Sequence, residues 1–293
     1  MILLTGATGT VGSALLRRLT AADEPVRCLV RDPRRLGSER VRVQIALGDL
    51  AQPASFRNAL RGVTRVVHLA ASIRDQPGAS IEELNGVATM RLLRAAEQAD
   101  VERFVFFSAL GASEISRARF FRAKALAERA VEASPLDTTV VAPSIVYAPG
   151  DPWLTLLKRF SYLPAMPVAG SGKARYQPIW AEDVAAAVTA ILAEPAGADR
   201  ERIELAGPET LTYNQIARIA LRALGRPRRL AHVPLSLVRA GLTAAGWVAG
   251  SSVFATWDEV QLLEIPMTTA RGAADAASLG VSPASMPAAL GAG

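Results

Sequence analysis

The chain has 293 residues, half of them hydrophobic and a fifth charged, a composition that excludes a disordered or low-complexity protein. Its net charge of +6 could suggest a nucleic-acid partner, but the arginines are scattered and no aromatic residues interleave them, so we expect no nucleic-acid binding. The single cysteine, Cys28, lies in an apolar run and has no partner, which excludes a disulfide framework and predicts a cytoplasmic protein.

Short β-branched runs alternate with helical patterns through the first half of the chain, as is typical of βαβ units that build a parallel sheet. The predicted strands are residues 2–5, 26–31, 41–47, 66–70, 104–108 and 138–142. The predicted helices are residues 11–20, 55–61, 81–98 and 116–133. This order predicts an α/β fold with a doubly wound parallel Rossmann sheet, whose ligand lies at the carboxyl ends of the strands.

A glycine-rich turn of the form GxxGxxG separates the first strand from the first helix. Gly6 permits a tight turn, Gly9 lets the backbone approach a pyrophosphate, and Gly12 lets the helix pack closely on the strand. The backbone amides at the helix start favour an anionic ligand, so the turn predicts a dinucleotide. The residues expected to contact it are Gly6, Thr8, Gly9, Thr10, Val11 and Gly12.

The end of the second strand indicates which dinucleotide binds. Arg31 stands where an NAD site often has an acid, and a guanidinium there favours a 2′-phosphate. Asp32 could be the ribose-binding acid of an NAD site, or it could begin the turn before Pro33. We therefore expect NADP(H), with NAD(H) as the alternative.

The regular alternation stops after Gly150, and Pro, Gly and Ser crowd the stretch that follows. We expect the chain to return to the sheet at residues 176–180, with Asp183 capping a helix over 184–193, and to leave again after Gly207. This predicts a Rossmann domain of residues 1–149 and 176–207, and a smaller C-terminal substrate-binding region of residues 150–175 and 208–293. Aromatic residues of that region could line an apolar pocket or fill a small core.

Residues 234–254 are mostly apolar, but Arg239 and several Gly and Ser residues make the segment a poor membrane-spanning helix. A buried helix or pocket lid is favoured, and peripheral membrane contact is the alternative. No Cys, His or Asp cluster has the spacing of a metal site, so we expect no metal. His68 ends an apolar strand and is expected to be a core histidine.

Further motifs accompany the glycine turn, and together they resemble the extended and atypical short-chain dehydrogenase/reductases over nearly the whole chain. Gly-Asp-Leu follows the third strand, an Asn-Gly-Val-Ala-Thr stretch resembles the family's Asn-Val-x-Gly-Thr signature, and residues 143–150 resemble the segment beside the nicotinamide. Parts of the second half look most like the branch that includes the accessory dinucleotide-binding subunit of respiratory complex I. The resemblance implies cofactor contacts from Asp49, Leu50, Ala70, Ala71, Asn85, Lys124, Pro143 and Ile145.

The family's catalytic pair is Tyr-x-x-x-Lys on one helix face, and this chain departs from it. Lys124 is in place, but Phe120 stands at the tyrosine position, and a phenylalanine cannot donate or accept a proton. The resemblance implies that Lys124 binds the nicotinamide ribose, and its ammonium could transfer a proton if its pKa were lowered. Ser108 lies near the position of the family serine and is the second candidate catalytic residue.

These residues leave two main functions open. The first is an NADP(H)-dependent reductase or dehydrogenase acting on a small apolar substrate without the usual tyrosine. The alternative is a dinucleotide-binding redox sensor, assembly factor or scaffold without turnover, which the loss of the tyrosine fits equally well. A nucleotide-sugar epimerase ranks third, because that chemistry usually depends on the missing tyrosine. We expect a monomer or homodimer.

Overall fold

The computed structural model describes residues 1–195, 202–249 and 256–291, with backbone only at 245–249. The strands are β1 (Ile2–Thr5), β2 (Val26–Val30), β3 (Gln44–Leu47), β4 (Arg65–His68), β5 (Arg103–Phe107), β6 (Asp137–Pro143), β7 (Val146–Tyr147), β8 (Ala165–Ala169), β9 (Arg175–Tyr176), β10 (Ile179–Trp180), β11 (Arg202–Leu205), β12 (Leu211–Thr212) and β13 (Arg229–Val233). The α-helices are α1 (Thr10–Ala21), α2 (Ala88–Glu97), α3 (Arg119–Glu132), α4 (Pro152–Phe160), α5 (Ala181–Ala193), α6 (Tyr213–Ala223), α7 (Leu235–Ala249), α8 (Trp257–Leu262), α9 (Ala274–Ser278) and α10 (Met286–Leu290).

A seven-stranded sheet forms the centre of the fold, in the order β11-β6-β5-β4-β1-β2-β3. Every neighbouring pair in it is parallel. Helices α1 and α5 pack on one face and contribute to one apolar core, whereas α2 and α3 contribute to the core on the other face. Because the strand order reverses beside β1, crevices open at the carboxyl ends of the strands. The predicted doubly wound Rossmann sheet is confirmed.

The expected return of residues 176–180 to the main sheet is wrong. β9 pairs with β12, and β10 pairs with β7, both outside the seven-stranded sheet. Pro178 lies between these two short strands and has no backbone N–H to give to a ladder. The seventh strand is instead β11, which runs parallel to β6. The boundaries of the two predicted regions stay a prediction.

Asp183 does not cap the helix that follows, as the sequence pattern had indicated. Trp180 is the N-terminal cap of α5, and Asp183 lies in the first turn, where its Oδ2 accepts a hydrogen bond from Ala284 N at 2.9 Å. A carboxylate in the first turn still interacts favourably with the helix dipole. Asp183 therefore connects the helix start to the C-terminal segment.

Three other predicted elements differ in type or length. The predicted helix at 55–61 consists of two short 3-10 turns, Pro53–Ser55 and Arg57–Leu60. The predicted strand at 41–47 begins only at Gln44, since Val41 ends a 3-10 segment and is 84% exposed. The predicted helix at 81–98 begins as a π-helical turn over Glu83–Val87 before α2. Short helical segments are hard to distinguish by apolar spacing alone, because they contain too few repeats.

The C-terminal region has its own small core, made by residues of α6, α10 and the short strands around them. Helix α7 covers most of the segment predicted to be a lid or a membrane contact, whose last five residues, 250–254, lie outside the described part of the chain. Leu237 in this helix is 63% exposed. None of the helices in the described ranges is long and apolar enough to cross a membrane.

His68 is buried in the sheet, as expected of a core histidine. Its Nδ1 lies 2.7 Å from Thr5 Oγ1 and its Nε2 lies 3.0 Å from Thr89 Oγ1, so both ring nitrogens have partners. Burial, assisted by the positive charge of Lys124, lowers the pKa of His68 to about 3, and the ring is neutral at physiological pH. The histidine thus joins the first and fourth strands to α2 below the glycine turn.

We predict that Gly12→Ala destabilises the fold by at least about 2 kcal/mol, whereas Gly241→Ala in α7 is neutral or slightly stabilising. A Cβ on Gly12 would lie 2.0 Å from the carbonyl oxygen of Gly6, and a Cβ on Gly241 would meet nothing within 4 Å. Urea denaturation of the two variants measures the difference. Equal unfolding midpoints would show that α1 is not held this close to the glycine turn.

Candidate functional site

The glycine turn brings the start of α1 to the carboxyl end of the sheet. Gly6 has φ +72°, and a Cβ there would lie 2.6 Å from Ala70 N, so only glycine fits between β1 and the residues after β4. Gly9 N donates to Gly6 O at 3.0 Å, and Gly9 is the N-terminal cap of α1, with no side chain capping the helix. The first amides of α1 are therefore open to an anionic ligand.

A first cleft of about 370 Å³ runs from this turn across the ends of β1, β2 and β4. Eight residues that sequence reasoning assigned to the cofactor line it, namely Gly6, Thr8, Gly9, Arg31, Asp49, Leu50, Ala70 and Ala71. A cleft at the carboxyl ends of parallel strands, with a helix start in its wall, suits a dinucleotide. Sequence reasoning missed Arg35 and Gln76, which line the same cleft.

Two arginines line this cleft beyond the end of β2. Arg31 Nη1 donates to Gln76 Oε1 at 2.8 Å, and Arg35 belongs to the same wall. Asp32 also lines the cleft, but its Oδ1 accepts from Arg34 N at 3.0 Å and caps the following 3-10 segment. One oxygen of this carboxylate is thus engaged in the turn.

A second, larger cavity of about 770 Å³ adjoins the first. Gly9 and Ser72 line the first cleft, while their neighbours Thr10 and Ile73 line the second. The wall of the second cavity is mainly apolar, and α4 and α8 provide much of it. Five residues singled out from the sequence line it, namely Thr10, Ser108, Phe120, Pro143 and Ile145.

Lys124 lies beneath this cavity rather than in its wall. Its side chain is 2% exposed, and Nζ donates to the carbonyl oxygen of Phe107 at 2.6 Å. The ammonium sits 4.8 Å from the ring centre of Phe106 and 5.8 Å from that of Phe120. Burial lowers the pKa of Lys124 to about 7, against a smaller opposing effect of Glu128. Aromatic faces stabilise the charged form only in part.

A buried polar cluster lies beside Lys124. The Ser108 hydroxyl is buried in the cavity wall without a well-aligned hydrogen bond, and its proximity to Glu128 lowers the pKa of that carboxyl. Burial is the larger effect and raises the pKa of Glu128 overall, although Arg202 Nε lies 3.6 Å from its Oε2. Glu128 follows Lys124 by four residues, which places both on one face of α3. Sequence reasoning missed Glu128, although its spacing from Lys124 was visible.

Asn85 contacts neither cavity. Its Nδ2 donates to Ser72 O at 2.7 Å and to Ile81 O at 2.8 Å, while its Oδ1 accepts from Ser72 N at 3.1 Å. The side chain therefore holds Ser72, a residue of the first cleft, and has no polar group left for a ligand. Val11, Gly12 and Lys124 do not line either cavity.

Ion pairs attach residues 72–76, the segment between the two cavities, to α8. Arg74 Nε and Nη2 donate to the two carboxylate oxygens of Glu259 at 2.5 and 2.9 Å. Arg119 contacts Asp75 at 2.9 Å and reaches Asp258 at 3.7 Å. The start of α8 carries a capping box between Thr256 and Glu259, a T-x-x-E signal that the sequence contains and that sequence reasoning missed.

Comparisons with known proteins agree with this geometry. A family model described as NAD(P)H-binding matches residues 6–195. An NAD(P)H azoreductase of Xenophilus azovorans is 31% identical over 84% of this chain and 82% of its own length. A mitochondrial alpha subcomplex subunit 9 of NADH dehydrogenase from Arabidopsis thaliana is 30% identical over 80% of this chain, which spans 60% of that relative.

Solved structures share the fold at lower identity. A nucleoside-diphosphate-sugar epimerase from Staphylococcus aureus superposes with a TM-score of 0.76 at 20% identity, covering 99% of both chains. A UDP-glucose 4-epimerase of Thermus thermophilus in complex with NAD gives a TM-score of 0.67 at 20% identity, over 90% of this chain and 97% of that one. The family match covers the glycine turn, the first cleft and Lys124. The chain belongs to the NAD(P)H-binding family of Rossmann proteins and groups with the atypical short-chain dehydrogenase/reductases.

Proposed function

We propose that the protein is a reductase that takes hydride from NADPH and delivers it to an apolar substrate in the second cavity. The observation that carries this proposal is the cavity itself, about 770 Å³ and mainly apolar, which adjoins the dinucleotide cleft and which Pro143 and Ile145 line. A space of this size with few polar groups is typical of a small-molecule site. A protein that only senses or stores a dinucleotide has no need of it.

The names of several relatives support a reductase. One is an NAD(P)H azoreductase, and another is a ceramide reductase of Caulobacter vibrioides, 29% identical over 84% of this chain. A third, from Streptomyces griseus, is a reductase of a (4-alkanoyl-5-oxo-2,5-dihydrofuran-3-yl)methyl phosphate, 30% identical over 83% of this chain. The last of these names includes an alkanoyl group, which suits the mainly apolar wall of the second cavity.

The chemistry that the cavity residues can perform fits a polarised double bond. The nicotinamide, when bound, supplies the hydride. Phe120 cannot protonate the product, and the Ser108 hydroxyl is buried beside Glu128, so we assign the proton to neither side chain. A stabilised carbanion or nitrogen anion then takes its proton from water, so the reaction needs no strong acid from the protein.

In this proposal Lys124 is a positioning residue. Its Nζ donates to the carbonyl oxygen of Phe107, one residue before Ser108, and it lies beneath the Phe120 ring. The ammonium therefore holds the end of β5, where the candidate serine sits. Its pKa of about 7 means that the charge on this support changes near physiological pH.

A specific observation favours the second candidate function, a dinucleotide-binding sensor or assembly factor without turnover. Phe120 replaces the usual acid, and Lys124 does not line either cavity. Some relatives are named as subunits of respiratory NADH dehydrogenase and as a photosystem II assembly factor. Turnover by the purified protein separates the two candidates.

The preference for NADPH rests on the adenosine end of the first cleft. Arg31 and Arg35 both line the first cleft beyond the end of β2, near which this class of fold binds the ribose and any 2′-phosphate, and Asp32 is engaged in capping. We also propose a cytoplasmic location, because the Cys28 thiol is buried and unpaired. Burial also raises the pKa of that thiol to about 12, which makes it unreactive.

The wild-type protein should bind NADPH at micromolar or tighter affinity, and Arg31→Ala should weaken NADPH about tenfold while leaving NADH within twofold. A charge-assisted contact to the 2′-phosphate is worth about 1.5 kcal/mol or more, and NADH lacks that phosphate. Calorimetric titration measures both ligands, with Arg34→Ala as the control because Arg34 is exposed and does not line the cleft. If Arg31→Ala leaves the ratio of the NADPH and NADH affinities unchanged, the assignment of Arg31 to the 2′-phosphate is wrong.

The free energy of unfolding of the wild type should rise between pH 7 and 8.5. In Lys124→Met this rise should be smaller by about 1 to 2 kcal/mol. The unfolded chain keeps the lysine proton to about pH 10.4, whereas the folded chain releases it near pH 7. The unfolded state therefore binds more protons in this window, and raising the pH favours the folded state. Urea denaturation at the two pH values measures the effect, with exposed Lys158→Met as the control.

Phe120→Tyr should gain carbonyl reduction with NADPH on a panel of apolar ketones and aldehydes, because Phe120 lines the cavity and its ring centre is 5.8 Å from Lys124 Nζ. The wild type should reduce electron-poor alkenes, imines or azo compounds instead. Lys124→Met in the Phe120→Tyr background should remove the gain. If both the wild type and Phe120→Tyr bind NADPH but turn over nothing across the panel, the non-catalytic function replaces the reductase.

A further inference from the structure

Four charged residues line the second cavity, and three of them are already engaged. Arg74 and Glu259 form a two-point ion pair with each other. Asp151 caps α4, since its two oxygens accept from Ala148 N at 2.8 Å and from Leu154 N at 2.6 Å. Arg159 is the fourth, and its guanidinium makes no hydrogen bond or ion pair with any residue that the structure describes.

The position of Arg159 on α4 points its side chain toward the cavity. Trp153, Leu156 and Arg159 recur every three residues, and all of them line the cavity. Lys158, the neighbouring cation, does not line it. At a rise of about 1.5 Å per residue, Trp153 and Arg159 are about 9 Å apart along the helix. Arg159 is exposed, so it forms a positive rim at one end of an apolar wall.

The rest of the cavity lining is mainly apolar and includes Leu156 and Leu262. Ser108 also belongs to the lining, but its hydroxyl is buried beside Glu128 and is not exposed to a ligand in the cavity. The cavity thus offers a mainly apolar wall and, in Arg159, one cation that has no partner among the described residues.

We propose that the ligand of the second cavity is an anionic amphiphile. Its apolar body lies along α4 and α8, and its carboxylate or phosphate pairs with Arg159. That this ligand is also a substrate rests on the proposed reductase function, whereas the ligand class itself follows from the cavity. An apolar wall alone would bind neutral and anionic amphiphiles with similar affinity. The unpaired guanidinium of Arg159 raises the affinity for the anionic ones.

A structural role for Arg159 competes with this proposal. A cation in the last turn of a helix interacts favourably with the helix dipole, and such a role needs no ligand. Lys158 is in the same turn and would contribute in the same way. The two residues therefore form a matched pair in which only one faces the cavity.

The test is calorimetric titration with dodecanoate, dodecyl phosphate and dodecanol below their micellar concentrations, with and without NADP⁺. The wild type should bind both anionic probes about tenfold more tightly than dodecanol. Arg159→Gln should bring the anionic probes to the affinity of dodecanol and leave dodecanol within twofold. Lys158→Gln should behave as the wild type. The ranking of dodecanoate against dodecyl phosphate identifies which anion the rim prefers.

Three results would overturn the inference. These are equal affinities for dodecanol and the anionic probes, equal weakening of the anionic probes by Arg159→Gln and Lys158→Gln, and no binding of any C12 probe. NADP⁺ titration in the same preparation separates the two proposals. If NADP⁺ binds while the probes do not, the ligand class is wrong and the dinucleotide site stands. If the probes discriminate as expected while no nicotinamide dinucleotide binds, the reductase function is wrong and the amphiphile site stands.

Discussion

The close approach of backbone to backbone at the glycine turn is the constraint on which the site depends. Gly6 leaves no room for a Cβ beside Ala70, and Gly12 leaves none beside Gly6 O. These two contacts press α1 against the ends of β1 and β4, which places the first helical amides at the sheet's carboxyl edge. The dinucleotide cleft, the cavity beside it and the position of Thr10 between them all follow from this packing.

The replacement of the usual tyrosine by Phe120 changes the environment of the lysine that accompanies it. A ring without a hydroxyl offers Lys124 no hydrogen bond, and the ammonium donates to the carbonyl oxygen of Phe107 and lies near the rings of Phe106 and Phe120. Burial outweighs the attraction of Glu128 and lowers the pKa of Lys124 to about 7. The polar groups closest to the ammonium therefore lie behind the cavity wall and not in it.

The sheet could be predicted from the sequence because its strands are apolar runs with β-branched residues, and the glycine turn marks the cofactor edge unambiguously. Asn85 could not be placed from its motif, because only the fold shows that Ser72 and Ile81 engage the polar atoms of its side chain. The contribution of α8 to the cavity depends on a contact between residues about 185 apart, Arg74 and Glu259, which no local pattern contains. Residues 176–180 were misplaced since two-residue strands resemble the end of a sheet strand.

The segment between the two cavities has a thermodynamic consequence. Ser72 and Gln76 face the first cleft, Ile73 and Arg74 face the second, and Arg31 and Glu259 hold the segment from opposite sides. A ligand that orders this segment from one side reduces the entropy that a ligand on the other side must remove. If ligands order the segment in this way, the two binding events are linked with positive cooperativity, and each ligand strengthens the other by the same factor. Because the Arg74–Glu259 contact is a partly exposed ion pair, raising the ionic strength weakens it and leaves more of the ordering to the ligands.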